Sequence, residues 1–178
     1  MATRYHLITR MRLGVDRGRT WETFIQVREW PSWWRWLDRV DVLREGDARG
    51  VGAVFRQRVT SPLRYGFTWQ TEIVRVVDEA LVELGSSGAL EGTGRFVLTD
   101  LEGGETEVVF TWLVETTKLW MNVTAPLARP LFTWSHDRLM TDFGRGLAGA
   151  AGGRLLSVSH SALRPRDQGF FRMPEFEG

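Results

Sequence analysis

A chain of 178 residues, 43% hydrophobic and 25% charged, is long enough for one domain with a sizeable core and short for two. Its 23 basic and 22 acidic residues leave a net charge of +1 and are dispersed along the chain, which argues against a nucleic-acid arm or a polybasic membrane patch. The absence of cysteine excludes disulfides, thiolate metal sites and a cysteine nucleophile, while nine tryptophans against two tyrosines suit either a packed core or a pocket for flat molecules.

The first residues, MATRYHLITRMRLG, carry charge throughout and lack an apolar h-region, so no signal peptide is expected. No apolar run approaches about 18 residues, so no membrane insertion is expected, and the expected location is the cytoplasm. Tyr5, Leu7, Thr9, Met11 and Leu13 alternate and predict a first strand ended by Gly14. Asp16 is placed to cap a helix carrying Trp21, Phe24 and Ile25, which should stop near Arg28 because Trp30 precedes Pro31. Ser32 is placed to cap a second, short helix with Trp33, Trp34 and Trp36.

From Val40 the period changes to two. Val40 to Arg44 predicts a strand closed by the turn residues Glu45, Gly46 and Asp47. Val51, Ala53, Phe55, Gln57 and Val59 share a face of the next, and Tyr65, Phe67, Trp69, Thr71 and Ile73 share a face of a longer one. Leu81 to Ser86 and Leu90 to Leu98 follow, the latter with Phe96 and Leu98 inward and Glu91 and Arg95 outward. After the Gly103-Gly104 turn, Val108, Phe110, Trp112 and Val114 alternate with outward residues. Close spacing and short turns predict an antiparallel meander. Pro126 and Pro130 introduce a helix running to about Leu147, with Phe132, His136, Leu139, Phe143 and Leu147 on one stripe. Glycines from Gly144 to Gly153 weaken its far end. The last residues, with two prolines and three phenylalanines beyond Arg164, read as an extension outside the core.

Trp21-Glu22-Thr23-Phe24 followed by Trp30-Pro31-Ser32-Trp33-Trp34 resembles the first two helices of polyketide cyclase/dehydrase-like members of the START/Bet v 1-like (SRPBCC) superfamily. The run from Gly88 to Phe96 resembles their central strand. Thr116-Thr117-Lys118-Leu119-Trp120-Met121 and the run from Pro130 to Asp137 resemble the loop and helix start of a bacterial subgroup. The likeness spans roughly Tyr5 to Leu147. It implies an α+β helix-grip fold: a seven-stranded curved antiparallel sheet wrapped around a long C-terminal helix, with two short helices between strands 1 and 2. Residues 1–157 would form that ligand-binding domain and 158–178 a flexible extension. The superfamily includes lipid carriers, hormone receptors, aromatic-ring cyclases and oxygenase domains, and one fold hosting many functions leaves the choice to the site.

The residues that pattern turns inward, Phe55, Gln57, Phe67, Trp69, Thr71, Phe96, Phe110, Trp112, Leu139 and Phe143, are the candidate ligand-binding set. They support binding of a small hydrophobic or aromatic molecule. Aromatase/cyclases of the superfamily are thought to steer a poly-β-ketone with arginine, tyrosine and hydroxyl groups; here Tyr65 is placed to serve, but no inward arginine is evident. His136 is the sharpest catalytic candidate, as general acid or base with Tyr65. The alternative for His136 is a core histidine hydrogen-bonded to backbone or to Ser135. Asp137 is rotated about 100° around the helix from it and is not expected to orient it. Glu72, Glu91 and Arg95 are expected outward and solvated. His6, His136 and His160 show no ligand spacing, so neither a metal nor another cofactor is expected. Three functions therefore stand side by side: a binding protein, a cyclase, aromatase or dehydratase, and a subunit assembling through its tryptophan-rich second helix, with a homodimer left open.

Overall fold

The computed structural model describes residues 4–60, 66–88, 90–116 and 125–163. Strand β1 (Arg4–Leu13) leads into α1 (Arg17–Phe24), a 3₁₀ turn at Val27–Glu29 and α2 (Trp30–Trp33). Six strands follow, β2 (Leu37–Arg44), β3 (Val54–Thr60), β4 (Gly66–Val77), β5 (Leu81–Gly88), β6 (Leu90–Leu101) and β7 (Glu105–Thr116), then the long helix α3 (Ala125–Ala150) and β8 (Leu155–Leu163). They form one antiparallel sheet ordered β2-β3-β4-β5-β6-β7-β1-β8. The helix-grip class expected from the sequence is therefore present, with eight strands where seven were expected.

The added strand is β8, and residues 158–163, expected in an extension, pair with β1 from Met11↔Val158 to His6↔Leu163. Its exposed residues are Leu156, three serines and Ala162, the last four poor strand formers, so its sequence carries little alternation of hydrophobicity. An edge strand needs only one apolar face, supplied by half-buried Leu155 and Val158.

Asp16 caps α1 as expected, its carboxylate accepting from the Arg19 N–H at 3.0 Å. The second helix starts three residues earlier than a Ser32 cap would set it, with Glu29 in the cap position, and it ends at Trp33, before Trp34 and Trp36. Trp30 takes helical φ and ψ of −53° and −39° although it precedes Pro31, because its indole is buried and donates from Nε1 to the Phe24 carbonyl at 2.8 Å. Pro31 fits the first turn, where an N–H has no intrahelical partner anyway.

Phe143 is the hub that joins the layers. Its ring meets Trp30, Trp33 and Trp34 edge-on at centroid distances of 5.4, 5.5 and 5.0 Å and lies 5.8 Å from Phe96. Trp34 also donates from Nε1 to the Leu139 carbonyl at 3.1 Å, tying α2 to α3. The tryptophan-rich segment thus points into the core, with Trp30 and Trp34 buried, and is not the exposed apolar patch that an assembly surface through α2 would need. The glycines of α3 have a packing reason: a Cβ on Gly146 would collide with the Trp33 carbonyl, and one on Gly144 would approach the Met11 sulfur to 2.8 Å. The end of α3 is packed solid, with Leu147 and Ala148 fully buried. From Leu131 to Phe143 the helix borders open space.

Candidate functional site

Between that stretch of α3 and the sheet lies a cavity of about 400 Å³, within the size range of small-molecule sites. The alternation of β3 and β4 turns Phe55, Gln57, Val59, Phe67, Trp69, Thr71 and Ile73 toward it. Phe96 of β6 and Phe110 and Trp112 of β7 continue the wall, with Phe96 and Phe110 stacked 4.2 Å apart. Leu139 and Phe143 of α3 face them. All ten residues proposed from pattern as a ligand-binding set lie on this wall. Tyr65 falls outside the described residues.

Other parts of the wall carried weaker signals. Tyr5 of β1 and Phe132 of α3 pack together with centroids 4.4 Å apart, and Phe24, Trp30 and Trp34 close the side under α1 and α2. Phe132 was visible in the helical stripe and Tyr5 in the alternation of β1; the helical tryptophans had no periodic signal pointing to a cavity. Ile25 and Leu131 also line it while remaining about half exposed, at 50% and 48%, so the cavity reaches the surface. Arg49, in the loop before β3, lines it too. It is an arginine that strand alternation does not reveal, because it belongs to a loop, and it stands 4.0 Å from Asp78. Glu72 and Arg95 point outward as expected, pairing with Arg44 at 2.6 Å and Glu83 at 3.5 Å, and Glu91 is exposed.

Polar groups on the wall are few. Thr71 donates from Oγ1 to Gln57 Oε1 at 2.9 Å, and both side chains are buried. Ser135 and His136 are the buried polar residues contributed by α3. The His136 ring lies nearly parallel to Trp112, 5.4 Å away, and to Phe110, 6.3 Å away. Among the described residues neither of its nitrogens has a hydrogen-bond partner. The satisfied core histidine therefore does not describe it.

Asp137, expected to be turned away, places Oδ1 3.5 Å from His136 Nδ1 and 3.6 Å from His160 Nδ1. A rotation of 100° per residue separates side-chain bases by little more than a turn's width, and a rise of 1.5 Å keeps their tips within reach. The first of these distances is longer than that of a well-formed hydrogen bond. His160 arrives on β8, the unexpected strand, and is held by Thr9 through Nδ1 at 3.0 Å and by Thr141 through Nε2 at 2.9 Å. Burial pushes the His136 pKa below the ordinary 6.5, and nearby His160 adds to this; Asp137 pulls the other way without overcoming it. His136 is thus a neutral imidazole near pH 7, able to accept as well as donate. Among the described residues no group of histidine and carboxylate side chains is arranged to hold a metal ion, and no helix is long and apolar enough to cross a membrane.

A curved antiparallel sheet closed by one long helix over an aromatic-lined cavity is the architecture of the START/Bet v 1-like proteins, and the chain has that fold. The Zhui aromatase/cyclase from Streptomyces sp. R1128 superposes with a TM-score of 0.70 at 16% identity, over 84% of this chain and 94% of that one. A START superfamily protein from Mycobacterium smegmatis gives 0.66 at 11% identity, over 82% and 97%. Ara h 8.0201 gives 0.63 at 11%, over 84% and 98%. No protein-family description matches the chain in sequence, and no curated protein does. At these identities the likeness establishes the helix-grip fold alone, and the chemistry has to be argued from the cavity.

Proposed function

We propose that this chain works in the cytoplasm by binding a small hydrophobic or aromatic molecule in the cavity between sheet and long helix. The observation that carries this reading is the cavity itself: about 400 Å³, walled by phenylalanine and tryptophan rings with few polar groups among them. Such a wall offers dispersion and stacking to a flat apolar molecule while placing few hydrogen-bonding demands on it. Trp69 and Trp112 are on the wall and report on its contents. Titration with naphthalene should quench tryptophan fluorescence saturably, and Trp112→Phe should lower the amplitude. A linear, unsaturable response to naphthalene and to fatty acids of several lengths would refute it.

A second reading, cyclisation, aromatisation or dehydration of a similar ligand, is favoured by one observation. His136, an acid–base group, forms part of the wall. Its test is turnover of a poly-β-ketone substrate, lowered by roughly 100-fold or more in a His136 variant that still binds it.

A further inference from the structure

Leu131 and Trp134 are neighbours one turn apart on α3, and they are 48% and 43% exposed. The Arg138 guanidinium lies 5.5 Å from the centre of the Trp134 ring, and it has no carboxylate partner among the described residues. Leu131 also lines the cavity, so this apolar face is continuous with the cavity's opening. Large apolar side chains held side by side in water at the rim of a cavity favour a cover.

The chain itself passes close by. β8 runs against the direction of α3: Leu155 is beside Gly144, where a Cβ would come within 3.2 Å of it, and His160 bonds to Thr141. Leu163, the last residue of β8, pairs with His6, and the adjacent Tyr5 packs on Phe132 with centroids 4.4 Å apart. β8 therefore ends beside the turn of α3 that carries Leu131 and Trp134. The sequence continues as RPRDQGFFRMPEFEG, residues 164–178, which lie outside the described residues. Phe170, Phe171, Met173 and Phe176 follow one another closely in it, after a polar stretch from Arg164 to Gly169. At no more than about 3.6 Å per residue, that stretch lets Phe170 reach about 25 Å from Leu163, well beyond the roughly 10–12 Å width of a helix. Glu175 and Glu177 flank Phe176, so a ring between two carboxylates can meet a ring beside an unpaired guanidinium.

We infer that the segment from Phe170 to Glu177 of this same chain docks on the face of α3 formed by Leu131, Trp134 and Arg138, covering that end of the cavity. The inference goes beyond ligand binding and does not depend on it, because the contact joins two parts of one chain. A short tether holds the segment at an effective concentration in the millimolar range, so modest apolar contact is enough to seat it.

The chain has no cysteine, so Leu131→Cys places a single thiol in the covered face, and its reaction with dithionitrobenzoate reads the cover directly. In the full-length chain, Phe170→Ser, Phe171→Ser and Phe176→Ser together should speed that reaction about tenfold, the release of a site covered about nine-tenths of the time. Val77→Cys, at a position 40% exposed at the end of β4, should react at one rate with and without the phenylalanines. A bimane label on Phe171→Cys gives a second reading: contact with Trp134 quenches it, so Trp134→Phe should brighten it. Unchanged Leu131→Cys reactivity on loss of the phenylalanines would overturn the inference, as would a bimane signal indifferent to Trp134→Phe. Acceleration at Val77→Cys to the same degree would mean a general loosening of the fold and overturn it too. Protection that grows with protein concentration would make a second copy the occupant, with the same consequence. None of these outcomes touches naphthalene binding, so failure here leaves the binding reading standing.

Discussion

Replacing His136 by phenylalanine should make the protein more stable. The imidazole is 5% exposed, and both of its nitrogens lack hydrogen-bond partners among the described residues. An unsatisfied buried polar atom costs about 1–3 kcal/mol. Phenylalanine removes two such atoms and keeps the near-parallel packing on Trp112 and Phe110, and its extra volume has the cavity to occupy. The loss of the His136–Asp137 attraction offsets part of this, leaving a net gain of about 1–2 kcal/mol, or about 2–8 °C in Tm for a chain of this size. The pH dependence gives a second, independent sign. The folded-state pKa of His136 is depressed below 6.5, so as pH falls through 6.5 the unfolded chain takes up a proton that the folded chain refuses. Wild-type stability therefore drops across that window and below it, and the variant lacks this contribution. Thermal melts followed by circular dichroism at pH 7 and pH 5 should show the variant ahead at both, by a wider margin at pH 5. A variant that melts below wild type at pH 7, or a margin that narrows on acidification, would show that the imidazole nitrogens are satisfied and that the reasoning is wrong.

Two further outcomes test how the cavity is framed. Gly146→Ala raises intrinsic helix propensity by about 1 kcal/mol, yet the added methyl would meet the Trp33 backbone carbonyl; overpacking of about 1–3 kcal/mol should dominate, so urea denaturation should show a net loss. A chain ended at Ser157 would lose the β1–β8 ladder from Val158 onward and the Thr9–His160 contact, and its Tm should fall by about 10 °C or more, since several kcal/mol of pairing and packing disappear; a change of only a degree or two would mean that β8 is a passive strap.

The contrast between β3 or β7 and β8 explains what could be read from the sequence. In β3, β4 and β7 the same residues that make the sheet amphipathic also line the cavity. Alternation at Phe55, Gln57, Phe67, Trp69, Phe110 and Trp112 was therefore enough to locate the wall. The stripe of α3 worked for the same reason. Neither kind of pattern describes β8, whose serines and single histidine sit on an edge with little apolar surface to bury. With β8 went His160, and with His160 the setting of Asp137, a residue that helical geometry alone points away from His136. Arg49 was hidden for another reason: it is brought to the cavity by a loop, where no period exists to read. Periodicity reports burial, so the apolar wall was legible and the polar cluster, made by three distant elements meeting, was not.

The position of β8 also sets an order of events in making the protein. Thr9 and His160 are 151 residues apart in sequence yet bonded side by side, and β1 lies between β7 and β8. β1 emerges before β7 and β8 and must therefore wait for both before its two edges are paired. Contacts of such separation form late because closing the chain over them is entropically expensive. The sheet from β2 to β7 is a succession of local hairpins and can assemble beforehand, with its aromatic face already formed. The imidazole cluster cannot. Before β8 pairs, the chain would thus hold an apolar trough with one edge of β1 still open.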